Sequence, residues 1–262
     1  MLDQRTQQRV SRERDAHEFS DVLENSYALK RRFPHIQDYP SKRFLSSYVA
    51  GVVATMQDRF VLDYGCGWGD ESIRYLQAGA IVSGIDISPR LIQAAEQRAR
   101  GACRDSSRFS FHTMDAHALT FRDNMFDYVI GNGILHHLDP AIALQEIFRV
   151  LAPGGQAILL EPLADNPLLK IFRWLTPGAR TREERPLTER DLQRFATMLP
   201  WLSDFRYCGL LEAPVAVLTS LIMPGAPDNF LLRAAHSLEL RFGAQPRWRS
   251  WNQYVLLVFK KV

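Results

Sequence analysis

"VLDYGCGWGDES", residues 61–72, decides how the rest of the chain is read. An apolar run that reads as a buried strand ends in three glycines, Gly65, Gly67 and Gly69, within five positions, and acids stand on both sides at Asp63 and Asp70. In open α/β sheets, a glycine-rich turn between a first strand and a helix is where nucleotides bind, because glycine lets the backbone come close to a ligand. A dinucleotide site wants G-x-G-x-x-G. Here the spacing is G-x-G-x-G, and Asp70 holds the place of that third glycine. Asp63 would also repel a pyrophosphate, so the turn favours a ligand with a cationic end.

Outward from this turn the chain alternates. "RFVLDYG" reads as a strand and "GDESIRYLQAG" as a helix with Ile73 and Leu76 on one face and Gly79 at its end. "AIVSGIDI" reads as a second strand, after which Ser88 and Pro89 supply an N-cap and a first-turn proline for "RLIQAAEQRARG". "RFSFHTMD" and "FDYVIGNG" are further strands. Asp139 and Pro140 open the helix "AIALQEIFRVLAPGG", with Leu144, Ile147, Phe148 and Leu151 at helical spacing and Gly154–Gly155 as its end, and "QAILLEP" is a fifth strand. This alternation predicts a parallel sheet with helices on both faces. "SDFRYCGLL" and "WNQYVLLVFKKV" complete an expected seven-stranded, mostly parallel, Rossmann-like sheet. Residues 1–50 read as an amphipathic helical lid broken near Pro34 and Pro40, and residues 51–262 as the main domain, with helical insertions at 163–200 and 212–248.

Two further acids follow strands. Asp86 ends the second, 21 residues after Gly65, where an acid accepts hydrogen bonds from ribose hydroxyls. Asp115 follows the third and suits an exocyclic amine. A cationic or amine end, a ribose and an adenine together describe S-adenosylmethionine. The ordered set "VLDYGCGWG", "GIDIS", "MDAHAL", "FDYVIGNGILHHLDP" and "RVLAPGGQAILLEP" resembles the class I S-adenosylmethionine-dependent methyltransferases over roughly residues 55–162, plus the last strand. The resemblance implies that Asp63, Gly65, Cys66 and Gly67 line the methionine part and that Asp86 and Ile87 hold the ribose. It implies that Asp115 and Ala116 meet the adenine, that Asn132 lies beside the sulfonium, and that Tyr27 closes over the cofactor. Trp68 departs from the small residue common at its place.

The expected chemistry is methyl transfer with S-adenosyl-L-homocysteine as product. The protein's share is orientation and desolvation, with a general base where the acceptor keeps its proton. His136 and His137 follow the fourth strand and titrate in the right range, and Glu161 ends the fifth at the same sheet edge; these are the candidate catalytic residues. Successive side chains point differently, so one histidine is expected to face the methyl and the other to pack.

The acceptor is read from the less typical regions. The apolar stretch "LLEAPVAVLTSLIMPGAPDNFLL", with Phe172, Trp174 and Trp201, either roofs a hydrophobic pocket or covers the sheet and makes a homodimer contact. Arg173, Arg180, Arg182 and Arg185 either hold an anionic acceptor group or pair with Glu183 and Glu184. The reading favours a hydrophobic small-molecule or lipid-like acceptor and oxygen as the acceptor atom, with carbon or nitrogen as the alternative. A protein that binds the cofactor without transferring methyl, as a cyclase or regulator, is the second alternative.

The bulk of the sequence agrees. The 262 residues suit one elaborated α/β domain. A net charge of +3 and the lack of an Asn-Pro-Pro-Tyr type motif argue against nucleic acid. Three scattered cysteines form no CxxC pair, so no metal site or disulfide framework is expected. The polar N-terminus has no signal-like core, and the most apolar run, residues 210–223, is too short to span a bilayer; a cytoplasmic location is expected.

Overall fold

The computed structural model describes residues 4–19, 22–181, 184–198, 202–243 and 245–262. Arg182, Glu183 and Trp201, singled out above, lie outside them. The chain opens with α1 (Gln4–Phe19), α2 (Val22–Arg32), a 3-10 turn at Pro34–Gln37 and α3 (Pro40–Val53). The two prolines set these breaks, each standing at the first position of the element it starts. There follow β1 (Phe60–Tyr64), α4 (Asp70–Gln77), β2 (Ile81–Asp86), α5 (Pro89–Ala102), β3 (Phe109–Thr113) and β4 (Phe126–Asn132). After a 3-10 turn at Leu135–His137 come α6 (Pro140–Val150), β5 (Leu151–Pro162), α7 (Pro167–Leu175), α8 (Glu189–Met198), β6 (Leu202–Cys208), α9 (Glu212–Ile222), α10 (Phe230–Phe242) and β7 (Tyr254–Lys260).

The strands form one seven-stranded sheet in the order β3-β2-β1-β4-β5-β7-β6. The first five run parallel, and β7 inserts antiparallel between β5 and β6. Side-chain alternation splits the core in two. Leu62, Tyr64, Leu159 and Leu257 bury on one face, and Val61, Ile158, Leu256 and Val258 on the other. The helices that cover these faces are capped as the sequence suggests: Ser88 accepts the Leu91 N–H, and Asp139 accepts those of Ala141 and Ile142. Gly69, at φ 77°, lets α4 start hard against α5, where a Cβ would come within 2.9 Å of the Ala95 Cβ.

One boundary differs from expectation. α6 ends at Val150, and β5 begins at Leu151 rather than after Gly155. Leu151 pairs with Phe126, and an irregularity before Tyr128 brings the strands back into step. Leu151 is buried in either reading, so helical spacing alone does not separate them.

The strand order reverses beside β1, whose neighbours β2 and β4 diverge in connection, and the crevice at their C-terminal ends is where such sheets hold ligands. Asp63 lies just beneath it, buried and accepting a 2.5 Å hydrogen bond from Ser72 Oγ on α4. Burial pushes its carboxyl up to about 7, against the Ser72 bond, which favours the charged form. An unfolded Asp titrates near ~3.9, so above that pH the folded chain keeps a proton the unfolded chain has lost. The stabilisation from Asp63 is complete below about pH 4 and is lost as pH rises through about 7. Asp63→Asn removes this slope. Melting temperatures at pH 5 and pH 8 should therefore move in the variant's favour at pH 8; an equal difference at both values would give Asp63 an ordinary titration.

Candidate functional site

Two adjoining cavities open at the switch point, and Gly133 and His137 line both. The smaller, about 190 Å³, is walled by Gly65, Gly67 and Trp68 from the glycine turn, by Asp86 and Ile87 after β2, and by Asp115 and Ala116 after β3. Six of the seven expected cofactor residues on these turns, Gly65, Gly67, Asp86, Ile87, Asp115 and Ala116, thus converge; Cys66 does not. Asp86 Oδ2 accepts the Gly67 N–H at 3.0 Å and Oδ1 the Ser88 N–H at 2.9 Å, which holds the carboxylate at the strand end. Asp115 is held by the His117 N–H at 2.9 Å and by His117 Nδ1 at 2.7 Å. Burial opposes its charge, but the His117 bonds prevail and hold the carboxyl below the usual range.

The remaining expected residues lie elsewhere. Asp63 and Cys66 face away from the cavity. Asp63 points to Ser72, and Cys66 packs with Ile92 and Ala95, where burial pushes its thiol up. Asn132 lines the larger cavity. Tyr27 lines neither cavity; its half-exposed ring lies under Lys30 and feels Asp70. Its expected covering place is taken by α1, whose Val10 and Glu13 line the smaller cavity. No periodicity or motif in that polar helix marks these two residues.

The cavity fits a nucleoside with a cationic tail. Gly67, at φ 51°, has open space where a Cβ would stand, and the buried Trp68 Nε1 has no hydrogen-bond partner. Asp86 and Asp115 stand on neighbouring turns, after β2 and β3, as acceptors for hydroxyls and an amine.

The two cavities meet at the Leu135–His137 turn, which is organised by Glu161. This carboxylate is fully buried at the end of β5. Oε1 accepts the N–H groups of Ile134 at 3.0 Å and Leu135 at 2.8 Å; Oε2 accepts the His136 N–H at 3.2 Å and His136 Nδ1 at 2.8 Å. With Nδ1 donating, Nε2 is the basic nitrogen of the His136 ring, and it lies 3.9 Å from Glu184 Oε1 at the wall of the larger cavity. His137 Nδ1 meets Glu13 of α1 at 3.1 Å. Burial disfavours the charged His137 ring, but Glu13 prevails and raises its titration above the ordinary value. Arg9 fastens α1 to the same turn through the carbonyls of His136 and Leu138, both at 3.0 Å. The two histidines do part company, with rings 4.2 Å apart at 41°, but both line the larger cavity. One ring nitrogen of each, with a Glu184 oxygen, falls within 4.8 Å, a set that could hold a divalent cation.

The larger cavity, about 400 Å³, is completed by α2, by the 3-10 turn at Pro34–Gln37, and by residues between β5 and Glu184. Phe172 lines it, as does Leu169, and Trp174 points outward. Arg173 and Arg180 also line it, yet donate mostly to carbonyls of Leu163, Ala164 and Thr176. Arg185 contributes its backbone N–H to the His136 carbonyl. No described residue of 212–248 lines either cavity. α9 instead packs on the Pro34–Gln37 turn and on α10, because its small residues Ala213, Ala216 and Ser220 fit closely there.

Comparison with known proteins agrees with this geometry. The family model described as "Methyltransferase domain" matches residues 62–159. A demethylmenaquinone methyltransferase from Lactiplantibacillus plantarum is 40% identical over 115 residues, 42% of this chain and 48% of the relative. The ubiquinone/menaquinone biosynthesis C-methyltransferase UbiE of Roseobacter denitrificans is 38% identical over 104 residues, 38% of this chain and 41% of that protein. The chain thus spans less than half the length of these curated relatives. Among solved structures, magnesium protoporphyrin IX methyltransferase from Synechocystis shares the fold at TM-score 0.57 and 18% identity, over 97% of this chain and all of that one. Geranyl diphosphate C-methyltransferase from Streptomyces coelicolor does so at TM-score 0.56 and 17% identity, over 84% and 80%. Residues 62–159 thus match a methyltransferase domain, and the sheet order and the three converging turns agree with the class I S-adenosylmethionine-dependent fold.

Proposed function

We propose that this chain methylates a carbon of a hydroxylated small molecule, phenol-like or enol-like, bound in the larger cavity. The observation that carries the proposal is the His136–Glu161 pair at the junction of the cavities. A buried carboxylate on Nδ1 leaves Nε2 to take a proton. S-adenosylmethionine, when bound in the smaller cavity, supplies an electrophilic methyl group. Removing the acceptor's hydroxyl proton raises electron density on its oxygen and on the conjugated carbons beside it; a phenol-like carbon that takes the methyl then loses its own hydrogen as a proton to solvent, and the hydroxyl form returns. Glu161 stabilises the resulting imidazolium without itself moving, as a positioning residue. His137 and α1, joined through Glu13, close the junction against water. We infer that α1 acts as the lid.

Oxygen was the acceptor atom favoured by the sequence alone. The curated relatives are named for quinone-pathway methylation, and one expressly as a C-methyltransferase, which moves the proposal to carbon. Their matched portion is under half of each protein, and the acceptor cavity draws largely on α2 and on residues beyond 159, outside the matched family segment. The acceptor is therefore described by its chemistry. A homodimer and a cytoplasmic location belong to the same reading; among the described residues no helix is long and apolar enough to cross a membrane.

With a panel of substituted hydroquinones, His136→Ala should lower kcat by about 10²–10⁴-fold and leave S-adenosylhomocysteine affinity, measured by calorimetry, within about two-fold. Retention of wild-type kcat would remove the base. Carbon-13 NMR of the product should show a carbon-bound methyl; a methoxy signal would return the acceptor atom to oxygen. Chelation by EDTA should leave the rate unchanged, since the base reading needs no cation. A loss that Mg²⁺, Mn²⁺ or Zn²⁺ restores would make His136, His137 and Glu184 a metal centre instead.

A further inference from the structure

α7, which lines the larger cavity, and α9, which touches α7, both present apolar side chains to water. α7 turns Leu169 and Phe172 inward to the cavity, while Leu168, Ile171, Trp174 and Leu175 stand outside, 55–77% exposed. α9 buries its small residues and leaves Leu218, Leu221 and Ile222 more than half exposed. The two helices are in contact. An apolar surface of this extent, with a tryptophan at its most exposed point, marks a binding face rather than scattered surface residues.

The charges around it identify the partner. α2 ends in Lys30, Arg31 and Arg32, all exposed. The Arg32 guanidinium lies 5.6 Å above the Phe33 ring, Phe33 meets the inward-facing Phe172 of α7 edge-on at 5.0 Å, and α2 packs on the Pro177–Ala179 turn that follows α7, so this basic turn belongs to the helix next to α7. Lys170 adds a cation on α7 itself, 58% exposed and loosely shared with Asp165 at 3.8 Å. Exposed Trp and Leu flanked by Lys and Arg is the pattern of an element lying in the interfacial plane of a bilayer, where the apolar side chains enter the acyl boundary and the cations meet anionic headgroups.

We propose that the outer face of α7 and α9 docks on an anionic lipid bilayer. The same α7 is then the partition between lipid and the larger cavity: its outer side chains contact acyl chains and its inner ones the acceptor. In that orientation the cavity receives an acceptor dissolved in the membrane. This last step rests on the function proposed above; the docking does not.

Co-flotation with vesicles of 70% phosphatidylcholine and 30% phosphatidylglycerol tests the docking on the unmodified chain. Wild-type protein should float with these vesicles, at least ten-fold more than with pure phosphatidylcholine, and should be released by high salt. Trp174→Ser/Leu175→Ser, which alters only outward side chains, should abolish flotation with the melting temperature and S-adenosylhomocysteine affinity unchanged. Arg31→Glu should remove the preference for anionic vesicles. Wild-type protein that stays with neither vesicle, or a double variant that floats as well as wild type, would overturn the proposal. So would a wild-type dimer that the double variant dissociates while neither binds vesicles, because the face would then belong to a second copy. Loss of flotation with methylation of soluble hydroquinones intact separates the docking from the catalytic reading.

Discussion

A single buried carboxylate sets the geometry of both cavities. Burying the charge of Glu161 at the heart of an α/β sheet is costly, and four donors from one short turn offset that cost. Three of the four are backbone N–H groups, so the turn after β4 has one available path. That path presents His136 through Nδ1, places His137 against Glu13, and aims the carbonyls of His136 and Leu138 at Arg9. The fastening of α1 across the smaller cavity thus depends on a residue at the far side of the turn. Glu239 does the same for α9, accepting the N–H groups of Gly209, Leu210, Leu211 and Glu212. Both glutamates anchor the start of a segment that follows a strand.

The cavities differ in charge as their ligands would require. Asp86 and Asp115 line the smaller, with Asp63 beneath it, while Lys30, Arg173 and Arg180 stand around the larger. A nucleoside with a cationic tail suits the first, and an acceptor that loses a proton suits the second. Burial pushes the titration of Arg173 and Arg180 down, and their carbonyl partners keep them in place as a positive wall more than as direct anion ligands.

The strands were legible because β-branched runs between glycine and proline breaks admit few alternatives, and the acids at strand ends were legible because topology puts strand ends at one edge. Glu161 was singled out for that reason. Its four partners lie 25–27 residues earlier and carry no local mark, so its work of holding the turn was hidden. Tyr27 and Glu13 show the same limit in reverse. An aromatic residue in a lid helix invites a covering role, yet the polar α1 reaches the cavity instead, through an ion pair with His137 that no single helix can announce. The end of α6 was hidden for another reason, since Leu151 satisfies helical spacing and strand pairing alike.

The tautomer of His136 tests this account most directly. Long-range proton–nitrogen NMR on protein with nitrogen-15 in its histidines reports which ring nitrogen carries the proton. At a pH where the ring is neutral, the Glu161 bond predicts a protonated Nδ1 and a bare, pyridine-type Nε2 for His136, and Glu161→Gln should erase that preference. A bare Nδ1 in the wild-type protein would contradict the account, because Glu161 would then neither orient the ring nor leave Nε2 as the base.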